Sequence, residues 1–102
     1  MVQEYDFINS KYTVSLSPNT FFKRRGQSLV LILLDDSQCF FKFEGYPIEI
    51  VMGLHDKKNP LTIFTEIVKR DDLPREDFAR DFNLFLNFLV KENLVLINSD
   101  QV

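Results

Sequence analysis

At 102 residues the chain has room for one domain with a single modest core, and not for two. Hydrophobic residues make up 45% and charged residues 26%, the balance of a folded globule rather than a disordered segment. A net charge of −3 weighs mildly against binding of duplex DNA, which normally needs a strongly basic face, and a single cysteine rules out an internal disulfide.

A reducing, cytoplasmic setting is expected from that cysteine usage. No charged start followed by an apolar run marks a signal peptide. The longest apolar run, residues 29–34, falls far short of the roughly 20 needed to cross a bilayer, so no membrane association is expected.

Residues 1–10 are mixed and weakly patterned. Tyr12, Val14 and Leu16 then alternate with Thr13 and Ser15, the two-residue period of a short extended segment, until Ser17-Pro18-Asn19 breaks it. Three strands follow at about 20–25, 28–34 and 38–43, turned by Arg25-Gly26-Gln27 and Asp35-Asp36-Ser37. The middle strand is apolar on both faces, as a central strand should be. From Gly45 the period becomes helical. Pro47 suits a first helical position, and Ile48, Val51 and Met52 mark the buried stripe of a helix ending near Leu54. Asn59-Pro60 opens a second helix with its stripe at Leu61, Phe64, Ile67 and Val68, ending near Arg70. Pro74 opens the third, with Glu76 and Asp77 complementing its dipole; it runs to about Glu92, and Asn93 closes it in a left-handed conformation. Residues 95–97 read as a final short strand, with 12–16 as its candidate partner.

Two features stand out against this frame. The last strand of the meander, Cys39-Phe40-Phe41-Lys42-Phe43, lies at an edge, where backbone groups lack partners. The opposite edge is blunted by Lys23, Arg24 and Arg25, read as a solvated strand or as contact with an acidic surface. The Phe-rich edge carries one lysine. It is either covered by the rest of the fold or kept open for a partner strand. The third helix, meanwhile, has more apolar surface than one core stripe uses. Phe78, Phe82, Phe85, Leu86 and Leu89 lie within about 100° of one another. Leu84 and Phe88 form a second ridge among Asp77, Asp81 and Glu92. This ridge either packs on the N-terminal segment and first strands or walls a groove beside the open edge.

Catalytic signatures are missing from the sequence. One His and one Cys make no zinc site, no glycine-rich phosphate loop exists, and Cys39 reads as a small core hydrophobe rather than a nucleophile paired with His55. Asp35-Asp36 and Asp71-Asp72 read as turn residues. No enzyme activity, cofactor or metal is expected.

The same residues carry a resemblance. Arg24-Arg25-Gly26, Leu34-Asp35, Phe40-Phe41-Lys42-Phe43, residues 50–54, Leu61-Thr62, Ala79-Arg80-Asp81, Phe85-Leu86, Leu89 and Asn93-Leu94 together resemble the PqqD family, also called the RiPP recognition element, over about residues 20–96. The chain departs from that pattern at Glu44, Val51, Asn59 and Asn93. The resemblance implies a winged-helix-like peptide chaperone without chemistry of its own. Such a domain binds the leader of a ribosomally made precursor as an added strand and presents it to a modifying enzyme, often of the radical S-adenosylmethionine type. Carried over by position, Cys39, Phe40, Phe41, Lys42 and Phe43 would be the binding strand, and Asp81, Leu84 and Phe88 the helix wall.

The expected fold is therefore α+β, a three-stranded antiparallel meander followed by three helices. Residues 1–19 form an extension with a short strand, 20–97 the peptide-binding domain and 98–102 a tail. Two rival readings are a winged-helix nucleic-acid or regulatory module, at odds with the acidic third helix, and a homodimer that pairs this strand edge with itself.

Overall fold

Turn chemistry sets the first hairpin. Gly26 adopts φ 61° at the first position of a two-residue turn, a conformation that costs glycine little and matches the twist of the flanking strands. It joins β2 (Thr20–Arg25) to β3 (Ser28–Leu33), with Arg25 opposite Ser28. The computed structural model describes residues 5–9, 12–34 and 39–99; the expected second turn at 35–37 lies outside them. β4 (Cys39–Glu44) pairs antiparallel with β3, Leu33 opposite Cys39 and Leu29 opposite Phe43. The result is a three-stranded sheet in the order β2-β3-β4.

A second, two-stranded sheet pairs β1 (Tyr12–Leu16) with β5 (Val95–Ser99), as the alternation at 12–16 and the apolar run at 95–97 suggest. β5 runs two residues further than expected because the ladder continues to Tyr12 opposite Ser99.

Three helices lie between β4 and β5: α1 (Tyr46–His55), α2 (Pro60–Asp71) and α3 (Arg75–Lys91). Asn59 caps α2, its side-chain oxygen accepting the Thr62 N–H at 2.8 Å, and Pro60 takes the first helical position. Asn93 closes α3 at φ 62°, and the Leu94 N–H reaches back to the Leu89 carbonyl at 2.9 Å. α1 and α2 approach closely at Gly53, where an added Cβ would lie 2.8 Å from the Ile63 side chain.

The core joins Leu29, Leu31 and Leu33 of β3 to Phe43, Ile48, Ile50, Val51, Leu54, Phe64, Phe82, Leu86 and Leu89. Two stripes differ from expectation. α1 buries Ile50 and Leu54 besides Ile48 and Val51, because it is wedged against α2, β1 and β4 and has no single wet face. In α2, Leu61 is exposed and Ile63 is buried: the contact with Gly53 rotates the buried face toward Ile63. The weakly patterned N-terminus also contributes, since Phe7 and Ile8 are buried.

Among the described residues, no helix is long and apolar enough to cross a membrane.

Candidate functional site

β4 is the outer strand of its sheet, and among the described residues no strand pairs with its free edge. In an antiparallel strand alternate residues direct their N–H and C=O groups away from the neighbour, so this edge offers hydrogen bonds. Side-chain alternation sorts β4 into two rows. Cys39, Phe41 and Phe43 face the helices, half-buried or buried, while Phe40, Lys42 and Glu44 stand exposed on the opposite face.

The helix-facing row meets α3 through aromatic contacts. The rings of Phe41 and Phe88 lie 5.8 Å apart, edge to face, and those of Phe43 and Phe85 lie 5.3 Å apart in the same geometry. Phe85 and Phe88 stack at 6.5 Å. Edge-to-face pairing suits the ring quadrupoles and leaves part of each ring uncovered. Phe88 is accordingly 37% exposed and Leu84, one turn earlier, 57%. Single exposed apolar side chains are ordinary; what is informative here is that Leu84 and Phe88 stand one turn apart and form a contiguous strip.

Beyond Phe85, toward the N-terminus of α3, lies a cleft of about 400 Å³. Tyr46, Pro47, Ile50, Leu73, Phe78 and Phe85 form its apolar lining, and Asp77 and Asp81 its acidic rim. At one end, the Tyr46 hydroxyl donates to Asp71 Oδ2 at 2.7 Å. Arg70 holds that carboxylate in a fork (2.9 and 2.8 Å) and a second carboxylate, Glu49, in another (2.9 and 2.8 Å). The Arg70 guanidinium, with help from the Tyr46 hydroxyl, holds the Asp71 carboxyl well below the usual range, and the Asp71 carboxylate raises the Tyr46 phenol. These groups are exposed, so they orient the cleft mouth more than they stabilise the fold.

Of the sequence-expected residues, Phe41, Phe43 and Phe88 come together across the β4–α3 gap, and Asp81 stands on the adjoining rim. Phe40 and Lys42 project to the other face of the sheet, where they can touch an added strand only as cross-strand neighbours. Leu84 sits on the crest of α3 and borders a second hollow with Tyr5, Asp6, Arg80, Asn83 and Asn87. The N-terminal segment is anchored there. Asn87 accepts the Tyr5 N–H at 2.8 Å and donates to the Tyr5 carbonyl at 2.9 Å, and Asn83 accepts the Phe7 N–H at 2.9 Å. Residues 5–9 therefore lie on the flank of α3 that carries Asn83 and Asn87, and Phe41 and Phe85 occupy the side toward β4.

Sequence reasoning missed Tyr46, Pro47 and Leu73, which line the cleft from element ends, and took Phe78 and Phe85 as ordinary core. The Tyr-Pro pair directly after Gly45 was the available signal, since a ring at a helix's first residue is free to point past it.

No family model matches the chain, and no curated protein matches it. A solved structure does. The chain shares the fold of TbiB1. The two align with a TM-score of 0.73 at 22% identity, over 79% of this chain and 93% of that one. TbiB1 was solved in complex with the TbiA(beta) leader peptide. That likeness shows the fold, a small sheet with helices, and no more.

Proposed function

We propose that this chain is a RiPP recognition element of the PqqD type: it captures the leader of a ribosomally made precursor peptide by strand addition and presents it to a modifying enzyme. The observation that carries the reading is the juxtaposition of the outer β4 edge, with which no described strand pairs, and the exposed Phe88 and Leu84 of α3, in a fold shared with a protein solved with a leader peptide bound. The guest strand lies antiparallel along Cys39, Phe40, Phe41, Lys42 and Phe43, and its alternate side chains enter the groove beside Phe88 and Leu84 and reach toward Asp81.

Magnitudes support a groove and not a bare edge. About five backbone hydrogen bonds at roughly 0.5–1.5 kcal/mol each give only a few kcal/mol, and ordering a flexible peptide consumes much of it. A micromolar complex needs about −8 kcal/mol. Two or three guest side chains buried at about 1.5–3 kcal/mol each close the difference, and the cleft beside Phe85 offers apolar walls for them.

The winged-helix nucleic-acid reading finds no support in α3, whose first turns expose Glu76, Asp77 and Asp81 against Arg75 and Arg80. The test is an amide NMR titration with a candidate leader from the same operon. Shifts confined to 39–44 and 77–92, lost in Phe88→Asp, are expected; shifts confined to the β1–β5 sheet would refute strand addition at β4.

A further inference from the structure

The face of the sheet turned away from the helices carries a row of exposed apolar side chains. Phe21, Ile32 and Phe40 stand directly opposite one another across β2, β3 and β4. Phe21 is 57% exposed and Phe40 71%; Leu34, just past the end of β3, is 49% exposed. The next rows are basic: Lys23, Val30 and Lys42 stand in register, followed by Arg25, Ser28 and Glu44. Three cations and one carboxylate thus border an apolar row; Lys42 pairs with Glu44 at 3.7 Å, so the excess positive charge is that of Lys23 and Arg25 on β2, on a chain whose net charge is −3.

We propose that this outer face is the docking surface for the modifying enzyme, through an apolar patch on that enzyme rimmed by carboxylates. The inference rests on the reading of β4 as the guest-binding edge. Three observations commit the face to that occupant. The charge is local and of opposite sign to the rest of the chain, so it selects an acidic partner and disfavours a second copy, which would bring the same cations. The apolar row offers about 300–400 Å², against about 800 Å² per partner in a stable complex; that is the scale of a transient contact, as presentation and release require. The face is also continuous with the guest. A strand added to β4 lengthens the Phe21–Ile32–Phe40 row by one position, so its outward side chains lie beside Phe40 and Lys42. An enzyme seated on this face touches adaptor and substrate together, and a loaded adaptor presents more surface than an empty one.

The experiment measures two affinities separately, using Phe21→Asp and Lys23→Glu, both on β2 and away from the guest edge. The probes are the candidate leader from the same operon, labelled for anisotropy, and the modifying enzyme encoded in that operon, immobilised for biolayer interferometry. Both variants are expected to bind leader within twofold of the unmodified chain. Phe21→Asp should bind the enzyme at least tenfold more weakly; Lys23→Glu should lower the association rate and flatten its salt dependence, and as an exposed edge residue it leaves the fold intact if Phe21→Asp does not. Equal enzyme affinity for the variants and the unmodified chain overturns the proposal, as does an unmodified chain that binds no enzyme. A concentration-dependent mass that Phe21→Asp abolishes overturns it in favour of a second copy. Failure of every form to bind leader defeats the guest-edge reading instead, because the enzyme measurement without leader reads independently.

Discussion

The two flanks of α3 each stand beside another segment of the chain, a turn at residues 5–9 on one and the strand β4 on the other, and they engage it by different means. On one flank Asn83 and Asn87 hydrogen-bond the backbone of residues 5–7, with Phe7 sunk into the core. On the other, Phe85 and Phe88 face β4, the outer strand of its sheet, through ring contacts with Phe43 and Phe41. The contrast follows from what each flank must bind. The N-terminal segment is covalently attached and always present, so directional hydrogen bonds to one fixed register are affordable and specific. On the proposed reading a guest peptide arrives from solution. Its backbone would be served by the edge of β4, which reads any sequence, and its affinity would come from apolar burial, which tolerates variation in side chain.

The largest expected effect tests whether the held flank is structural. Phe7→Ala empties a site that is 1% exposed and should cost about 3–5 kcal/mol, a large share of the roughly 5–15 kcal/mol that holds a small domain together. Urea denaturation measures it; a loss below 1 kcal/mol would mean that the segment is an ornament of the fold. Next comes the open flank. Phe88→Asp should weaken leader binding by about 30- to 100-fold, the equivalent of losing one buried aromatic contact, while changing stability by about 1 kcal/mol through the Phe41 pair. Equal losses in both measurements would erase the distinction between the flanks. Asn87→Ala should have a smaller effect, about 1 kcal/mol, because the Tyr5 N–H and carbonyl lose one partner but lie only half-buried, where water can replace it. Hydrogen exchange at Tyr5 should quicken while exchange along β3 stays slow.

What was legible in the sequence follows the same division. β4 and the α3 ridge were readable because each is a local periodicity: alternation places Phe41 and Phe43 on one face, and the four-residue step from Leu84 to Phe88 places both off the core stripe. The short sheet of β1 and β5 was readable for the same reason. Phe7 was not, because no period surrounds it. Its burial depends on Asn83, 76 positions away, and an asparagine on a helix announces nothing about which distant backbone it will hold. The cleft lining was equally opaque, since Tyr46 and Leu73 stand at element ends where the surrounding turn, not a repeat, decides direction. Leu61 misled for a further reason: it has the right spacing for the α2 stripe, and only the close approach at Gly53 turns that stripe toward Ile63.

The smallest effect separates the flanks by pH. Asp6, on the held flank, has its carboxyl lowered, first by hydrogen bonds from Asn9. Asp71, at the mouth of the cleft, is lowered by Arg70 and then by Tyr46. A lowered carboxyl stabilises the fold above its ordinary value of 3.8, and the contribution disappears as pH falls through the lowered one, so acid loosens both flanks. Tyr46 runs the other way. Its phenol is raised by Asp71, so its contribution is complete below the ordinary value of 10.0 and is lost as pH rises through the raised one. The alkaline limb therefore belongs to the open flank. Tyr46→Phe should leave the stability at neutral pH almost unchanged, since the pair is exposed, and should let the Asp71 carboxyl rise part of the way back while Arg70 still holds it low. Carbon-detected titration of Asp71 and urea midpoints between pH 9 and 11 follow both changes. An Asp71 titration identical in the variant would mean that the Tyr46 hydroxyl does not hold that carboxylate, and that Arg70 alone shapes the mouth of the cleft.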